Sequence, residues 1–228
     1  MLTTLAPTAR VLIINDDSFE LATMAASLRQ HCINVVGEAA TSYIAENLFR
    51  TLHPEVVLLD LQESGEPSIS LLQKMRKIQP NLGIVITTAC PDLRLYGLFE
   101  KNIPTGTQIV LKRNFTDLSI VTHAISKSLI AASDGSLMKW ANFHSSDSDK
   151  SLISLLGQLT NVQVETLRLV AHGLSNSEIA KVRFVSEKSV EQIVARIALH
   201  LSISPDRRRN LRVILVGEYF KWLGAPKH

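Results

Sequence analysis

Short apolar runs alternate with longer amphipathic stretches over the first 132 residues of the chain. Short apolar runs rich in β-branched residues are typical of buried strands, and an apolar position every three or four residues is typical of a helix. On this basis the sequence predicts five strands, at residues 10–15, 33–37, 54–60, 82–89 and 108–112. It predicts helices at about residues 19–31, 42–52, 68–78, 92–100 and 116–132.

This order of elements predicts an α/β fold. When parallel strands are joined through helices, right-handed crossovers place the strands side by side and the helices on both faces of the sheet. Five such units predict a five-stranded, doubly wound parallel sheet of the flavodoxin-like type over residues 1–132. After the first strand, Ser18 follows Asp16-Asp17 and is the expected N-cap of the first helix.

A polar segment rich in small residues follows at residues 133–150 and predicts a linker. Beyond it, apolar positions recur only with helical spacing, so we expect residues 151–228 to form a separate all-α domain. The expected helices lie at about residues 161–172, 175–181, 185–201 and 211–222.

Composition narrows the class of protein without indicating an activity. With 46% hydrophobic and 20% charged residues, the chain is typical of a globular protein with an ample core, and its net charge of +3 permits an anionic partner. Cys32 and Cys90 stand beside apolar residues, so we expect buried free thiols and a reducing, cytoplasmic location. No apolar run is long enough to cross a membrane, and the seven histidines lack metal-site spacing.

Four of the five predicted strands end in polar residues, at the edge where open α/β sheets bind ligands. These residues are Asp16 and Asp17, Asp60, Thr88 and Lys112. Crowded carboxylates need a counter-ion, and oxygen ligands favour Mg²⁺ where phosphoryl groups react. We therefore expect Asp17 and Asp60, with Asp16 and the backbone carbonyl of Gln62, to hold Mg²⁺. We expect Asp60 to accept a phosphoryl group, Lys112 to balance its charge and Thr88 to hydrogen-bond the product.

Residues 8 to about 132 resemble the receiver domain of two-component response regulators. The residues that match are Asp16-Asp17, Val57-Leu58-Leu59-Asp60, Thr88-Ala89 and Lys112. The resemblance implies that a sensor histidine kinase phosphorylates Asp60. The chain departs from the family in the loop Leu61-Gln62-Glu63-Ser64-Gly65, which lacks the usual Met-Pro sequence, and at Ile109, where the family has an aromatic switch residue.

Residues 159 to about 220 resemble the LuxR-type helix-turn-helix of the NarL/FixJ response regulators. The matching residues are Leu159-Thr160, Glu165, Leu167, Gly173-Leu174-Ser175-Asn176, Glu178-Ile179-Ala180 and Val185-Ser186-Glu187-Lys188-Ser189-Val190. The resemblance implies that the helix opening near Val185 binds DNA. Helical spacing places Val190, Val194, Ile197 and Leu201 on its core face. The residues expected to face DNA are Ser186, Lys188, Ser189, Glu191, Gln192, Ala195 and Arg196.

Two features of this domain leave alternatives open. The family often has basic residues where Glu191 and Ala195 stand, and the run Arg207-Arg208-Arg209 either holds the DNA backbone instead or is a solvated face. The last helix carries Tyr219, Phe220 and Trp222, which are either plain core or part of a dimer seam.

The sequence therefore predicts a transcriptional response regulator and no enzyme: phosphorylation of Asp60 promotes a homodimer that binds DNA. The alternative is an atypical regulator whose receiver is a phosphate-independent dimerisation or partner-binding module, as the loop after Asp60 and Ile109 suggest. A phosphatase with an Asp nucleophile fits less well, because Gln62 occupies the second position of the Asp-x-Asp spacing.

Overall fold

The structure, a computed structural model, describes residues 9–62, 65–115, 117–141, 154–203 and 208–223. The chain divides into two compact units, and neither is continuous in sequence. The first comprises Met1–Ala89 and Phe99–His144, and the second comprises Cys90–Leu98 and Ser145–His228. The short segment Cys90–Leu98 therefore belongs to the same unit as the C-terminal helices, although the chain on both sides of it belongs to the first unit.

The first unit is built on a six-stranded parallel sheet with the strand order β2-β1-β3-β4-β5-β6. All residues of β3, β4 and β5 are buried, as expected for strands covered on both faces. The five predicted strands are confirmed, and a sixth is added. The strands are β1 (Arg10–Ile14), β2 (Asn34–Ala39), β3 (Val56–Asp60), β4 (Gly83–Thr88), β5 (Gln108–Leu111) and β6 (Lys139–Trp140).

The added strand, β6, lies inside the segment that we predicted to be a linker. Its backbone continues the ladder of β5: Lys139 donates its N–H to the carbonyl of Thr107 at 2.9 Å, and Ala141 donates to Ile109 at 2.8 Å. A strand of two residues is too short to show a period-2 pattern, so no sequence pattern predicts it.

Four helices flank the sheet, and α1 and α4 cover one face of it. Their buried side chains, which include Leu21, Leu28 and Ile125, form one core with Val11 and Leu58 of the strands. This burial explains why the amphipathic stretches fold as helices. The helices are α1 (Ser18–Gln30), α2 (Ser42–Leu52), α3 (Gly65–Ile78) and α4 (Ser119–Asp134).

The prediction of a helix at about residues 92–100 was wrong. Two 3₁₀ turns, Leu93–Tyr96 and Glu100–Asn102, take its place. Gly97 ends the first turn at φ 77°, a left-handed conformation that a continuous α-helix excludes. The helix predicted at residues 116–132 is observed as α4, which begins at Ser119; Thr116, its expected first residue, lies outside the described residues.

The second unit is helical from residue 154 onward in its described part. The last four helices agree with the predicted ones to within about two residues at each end, and the first, at residues 154–158, was not predicted. Side chains that accept backbone N–H groups cap the last four: Thr160, Ser175, Ser186 and Asn210. The helices are α5 (residues 154–158), α6 (Asn161–Ala171), α7 (Asn176–Arg183), α8 (Glu187–His200) and α9 (Leu211–Trp222).

The segment Cys90–Leu98 packs into the core of this second unit. Arg94 donates a hydrogen bond to the carbonyl of Leu156 at 2.8 Å. The hydroxyl of Tyr219 in α9, a fully buried residue, donates to the carbonyl of Leu95 at 2.7 Å. The apolar side chains that the segment buries are those of Leu93, Leu95, Tyr96 and Leu98.

The two cysteines have different environments. Cys90 is buried, as predicted, but Cys32 is exposed, so the prediction of a buried thiol was wrong there. Cys32 directly follows the C-cap of α1 and has φ 60°, which places it in a surface turn. Among the described residues, no helix is long and apolar enough to span a membrane.

Candidate functional site

The carboxyl-terminal edge of the sheet brings together most of the residues predicted for the first unit. The segment Asn15–Asp17 follows β1, Asp60 ends β3, Thr88 ends β4, and Lys112 follows β5. Because all the strands are parallel, these ends share one edge. In the register of β3 and β4, Asp60 lies opposite Thr87.

Asp60 is buried at this edge and held by two neighbours. It is 7% exposed, and its Oδ1 accepts a hydrogen bond from the hydroxyl of Thr87 at 2.9 Å. Its Oδ2 lies 2.9 Å from Nζ of Lys112. Burial raises the pKa of the Asp60 carboxyl, and Lys112 and Thr87 offset part of that effect. We call Asp60, Thr87 and Lys112 the acceptor cluster.

The hydroxyl of the acceptor cluster belongs to Thr87, one residue before the predicted Thr88. Successive side chains of a strand point to opposite faces of the sheet. The register that brings Thr87 to Asp60 therefore turns Thr88 to the other face, where it is fully buried. The sequence contains both threonines in succession, and only the strand register distinguishes them.

Glu20, in the first turn of α1, is a site residue that we did not predict. Its Oε2 lies 2.5 Å from Nζ of Lys112 and accepts a hydrogen bond from the amide of Asn15 at 3.1 Å. The bond from Lys112 lowers the pKa of Glu20. Burial alone would lower the pKa of Lys112, but its bonds to Glu20 and Asp60 raise it overall. Lys112 thus bridges two carboxylates.

The two acidic residues after β1 have different partners. Asp17 is the N-cap of α1, because its Oδ1 accepts the N–H groups of Phe19 and Glu20 at 2.9 Å each. Ser18, which we predicted for this role, is the first residue of the helix because the chain is still extended at Asp17. Asp16 is exposed, and its Oδ1 accepts a hydrogen bond from the side-chain amide of Gln62 at 2.5 Å.

A magnesium site at this edge would have fewer carboxylate ligands than the three expected from the sequence, Asp16, Asp17 and Asp60. In the described part of the chain, no group of three or more His, Cys, Asp or Glu side chains is placed to hold a metal ion. Mg²⁺ in proteins usually binds one or two carboxylates and several waters. Asp16 and Asp60, with the carbonyl of Gln62, fit that requirement, whereas one oxygen of Asp17 already caps α1.

A cavity of about 360 Å³ lies beside the acceptor cluster. It lies between the sheet, α1 and the chain that precedes α4, where α4 begins later than predicted. Its apolar wall gives the reacting groups a low-dielectric surrounding, which strengthens their electrostatic interactions. Its polar end comprises Asn15, Glu20, Asp60, Thr87 and Lys112, and its apolar wall includes Ile13, Met24, Leu58, Phe115 and Leu118.

In the second unit, α7 and α8 form a helix-turn-helix. Phe184 ends α7 in a left-handed conformation at φ 53°, and Ser186 caps α8 by accepting the N–H of Ser189 at 3.1 Å. The turn between the helices therefore spans residues 184–186. The predicted core face is confirmed for Val190, Val194 and Ile197, while Leu201 lies just beyond the helix and is half-buried.

The residues predicted to face DNA lie on the opposite side of α8. Six of them, Ser186, Lys188, Glu191, Gln192, Ala195 and Arg196, are exposed, and Ser189 is partly exposed. The hydroxyls of Ser186 and Ser189 lie 2.8 Å apart, so both are engaged at the helix N-terminus. Leu199, which is 77% exposed, adds an apolar side chain to this surface. We call the surface the α8 face.

Comparisons with known proteins agree with this architecture. Residues 157–206 match the family described as bacterial regulatory proteins, luxR family. The DNA-binding transcriptional activator EvgA of Escherichia coli K12 is 24% identical over 186 residues, or 82% of this chain and 88% of EvgA. The response regulator protein VraR of Staphylococcus saprophyticus is 28% identical over 178 residues, or 76% of this chain and 80% of VraR. The solved structure of the two-component response regulator RcsB in complex with DNA is similar in fold, with a TM-score of 0.52 and 24% sequence identity. The match covers 95% of this chain and 99% of the RcsB chain.

Over most of its length the chain is similar to response regulators, and residues 157–206 match the luxR family. The matching residues include α6, α7 and α8, so the helix-turn-helix lies within the match. The fold class predicted from sequence, a parallel α/β sheet followed by a helix-turn-helix domain, is confirmed.

The last helix, α9, contributes mainly to the core. Tyr219 and Trp222 are buried, and the half-buried Phe220 packs edge-on against Tyr219 with ring centroids 5.3 Å apart. Of the arginine run, Arg208 and Arg209 are exposed, while Arg207 lies outside the described residues. Their contact with DNA stays a prediction.

Proposed function

We propose that this protein is a response regulator that controls transcription by binding DNA through the α8 face. We propose further that a sensor histidine kinase switches it by Mg²⁺-dependent phosphorylation of Asp60. The acceptor cluster carries the first half of the proposal. It places one buried carboxylate between a hydroxyl and an ammonium group, each 2.9 Å away. That is the environment in which a carboxylate nucleophile and a transferred phosphoryl group are both stabilised.

In the proposed transfer, an oxygen of Asp60 forms a bond to phosphorus while the bond between phosphorus and the donor breaks. The leaving group keeps the electron pair of that bond. Lys112 shifts from the carboxylate toward the phosphoryl oxygens, and the hydroxyl of Thr87 donates to them. Mg²⁺, when bound, supplies charge neutralisation for the phosphoryl oxygens. Asp16, Asp60 and the carbonyl of Gln62 would hold it.

The phosphorylation half is tested on the full chain with acetyl phosphate and Mg²⁺. Peptide mass spectrometry should find the added phosphate on Asp60, and the label should be absent from Asp60→Asn and from samples treated with a chelator. The exposed Asp117→Asn of the same unit serves as a matched control that keeps labelling. A wild-type chain that acquires no phosphate at Asp60 would contradict this half of the proposal.

The DNA half rests on the α8 face and on the family match of residues 157–206. Gln192 is suited to the edge of an adenine, and Lys188 and Arg196 are suited to phosphates. Glu191 weakens the attraction to phosphates, so we expect affinity to depend strongly on the two cations. The solved RcsB complex with DNA has the same fold, which supports this use of α8.

The DNA half is tested by selecting bound sequences from a random pool and measuring their affinity. Gln192→Ala should relax the preference at one base pair and cost roughly 1–3 kcal/mol. Arg196→Ala should weaken binding to all sequences and lower the slope of log affinity against log salt by about 1. Gln158→Ala and Lys221→Ala, both exposed elsewhere in the unit, are the matched controls. Equal effects of test and control variants would contradict an interface at α8.

One observation favours the alternative of a phosphate-independent receiver. Ile109, where the family has an aromatic switch residue, is a fully buried aliphatic side chain of β5. In that alternative the first unit promotes dimerisation or binds a partner whatever the state of Asp60. DNA affinity and oligomeric state that are equal in wild type and Asp60→Ala, with and without phosphodonor, would favour it. A homodimer that forms only after phosphorylation would favour the main proposal.

A further inference from the structure

Glu20 is a charged group at the sheet edge to which the proposed chemistry gives no role. Its carboxylate lies 2.5 Å from Lys112, closer than the 2.9 Å between Lys112 and Asp60. Resting on the proposed phosphorylation of Asp60, we propose that Glu20 is a positioning residue that restrains Lys112 and so limits the rate at which Asp60 is phosphorylated.

Neighbouring groups direct Glu20 toward Lys112. A Glu at the third position of a helix commonly turns back to accept the backbone N–H of the N-cap residue. Here the side chain of Asn15 occupies that N–H, because its Oδ1 accepts the N–H of Asp17 at 2.9 Å. The amide of the same Asn15 donates to Glu20 at 3.1 Å. The carboxylate is thus held away from the helix end and toward Lys112.

The charges at the edge decide the direction of the effect. Lys112 is the cation of the acceptor cluster, and during transfer its ammonium must turn toward the incoming phosphoryl oxygens. Glu20 competes for that ammonium through a short ion pair. Like charges repel, so the carboxylate also opposes an anionic donor and the charge that Asp60 gains. Both effects slow phosphorylation, and removal of the Glu20 charge should speed it.

The test uses the full chain, acetyl phosphate and Mg²⁺, with the initial rate of phosphate gain at Asp60 as the readout. Glu20→Gln keeps an oxygen that accepts the bond from Asn15 but removes the charge. We expect it to raise the maximal initial rate roughly two- to fivefold, the range for a partly exposed ion pair. Glu46→Gln is the matched control, because Glu46 also pairs with a lysine, Lys74 at 3.6 Å, away from this edge. It should leave the rate unchanged.

The maximal rate distinguishes a restraint on Lys112 from simple repulsion of the donor. Repulsion at a distance would change the donor concentration for half-maximal rate and would disappear at high salt. A restraint on Lys112 raises the maximal rate itself. If wild type is phosphorylated but Glu20→Gln has an equal or lower maximal rate, the role of Glu20 is overturned. If wild type is not phosphorylated at all, the proposed function fails instead.

Discussion

At the scale of single residues, the acceptor cluster shows how one strand register selects between neighbours of identical chemistry. Thr87 and Thr88 are adjacent and both buried, yet only the side chain of Thr87 is on the face of Asp60. The strand itself was predictable from its apolar run. The choice between the two hydroxyls depends on how β4 aligns with β3, which is a property of the folded sheet.

We therefore expect Thr87→Val to slow phosphorylation of Asp60 more than Thr88→Val does. The first substitution keeps the shape of the side chain but removes the hydrogen bond to a charged group. Loss of such a bond is worth about 1.5–3 kcal/mol, or roughly tenfold or more in rate. The comparison is made by initial rates with acetyl phosphate. If Thr88→Val slows phosphorylation more than Thr87→Val does, Thr88 is the residue that supplies the hydroxyl.

Burial of Asp60 also predicts a pH dependence of stability. The pKa of Asp60 is raised in the folded state, so the folded chain retains a proton that the unfolded chain has already released. The cost of the buried charge is therefore absent below the unfolded pKa of about 3.9. This destabilisation of the folded state grows as the pH rises through the folded pKa of Asp60.

Asp60→Asn should consequently stabilise the first unit at pH 7 by on the order of 1 kcal/mol, and by much less near pH 4. The measurement is urea unfolding at several pH values with a chelator present, since bound Mg²⁺ would stabilise the wild type. A stability difference that is the same at both pH values would show that the charge of Asp60 is not its origin.

At the scale of elements, long segments with a periodic pattern of apolar residues were predictable, and short or irregular elements were not. Helix α2 was predicted at its observed bounds, Ser42–Leu52, because the apolar residues Ile44, Leu48 and Leu52 recur once per helical turn. The helix expected at 92–100 failed because Gly97 interrupts an otherwise apolar stretch with a positive φ. Glu20 was missed because it lies within the first helix and ends no strand, and only the folded structure brings its carboxylate to Asn15 and Lys112.

The start of α1 separates the roles of the two adjacent acids. Asp16→Asn should raise the Mg²⁺ concentration for half-maximal phosphorylation on the order of tenfold. Asp17→Asn should change it little, because asparagine still caps the helix. Asp17→Ala should destabilise α1 by about 1 kcal/mol, seen as faster amide exchange in the helix. An Asp17→Asn variant with the larger Mg²⁺ defect would place Asp17 in the metal site.

At the scale of the whole molecule, the two compact units do not follow the order of the chain. Sequence patterns placed a domain boundary at the polar segment 133–150, where composition changes. Packing instead assigns Cys90–Leu98 to the unit of the C-terminal helices. No local pattern reveals this, because the apolar residues of the segment are equally suited to either core.

The buried hydrogen bond between Tyr219 and Leu95 should contribute to the free energy of unfolding of the second unit. Tyr219→Phe removes the donor to a buried carbonyl and should destabilise the second unit by about 1–3 kcal/mol. Urea unfolding followed by Trp222 in a Trp140→Phe background reports on that unit. The exposed Tyr43→Phe is the control and should have no effect. Equal stability of the two variants would show that the bond contributes nothing.

The assignment of Cys90–Leu98 also limits how this gene can be cut and recombined. A fragment that starts at Ser145 encodes every C-terminal helix, yet it lacks Leu93 and Leu95, which are 5% and 0% exposed in the intact chain. Its core would have a hole, and Tyr219 would have no acceptor. We expect such a fragment to be a poor donor for domain shuffling. A chimera would inherit a working helix-turn-helix only if the loop after β4 travels with it.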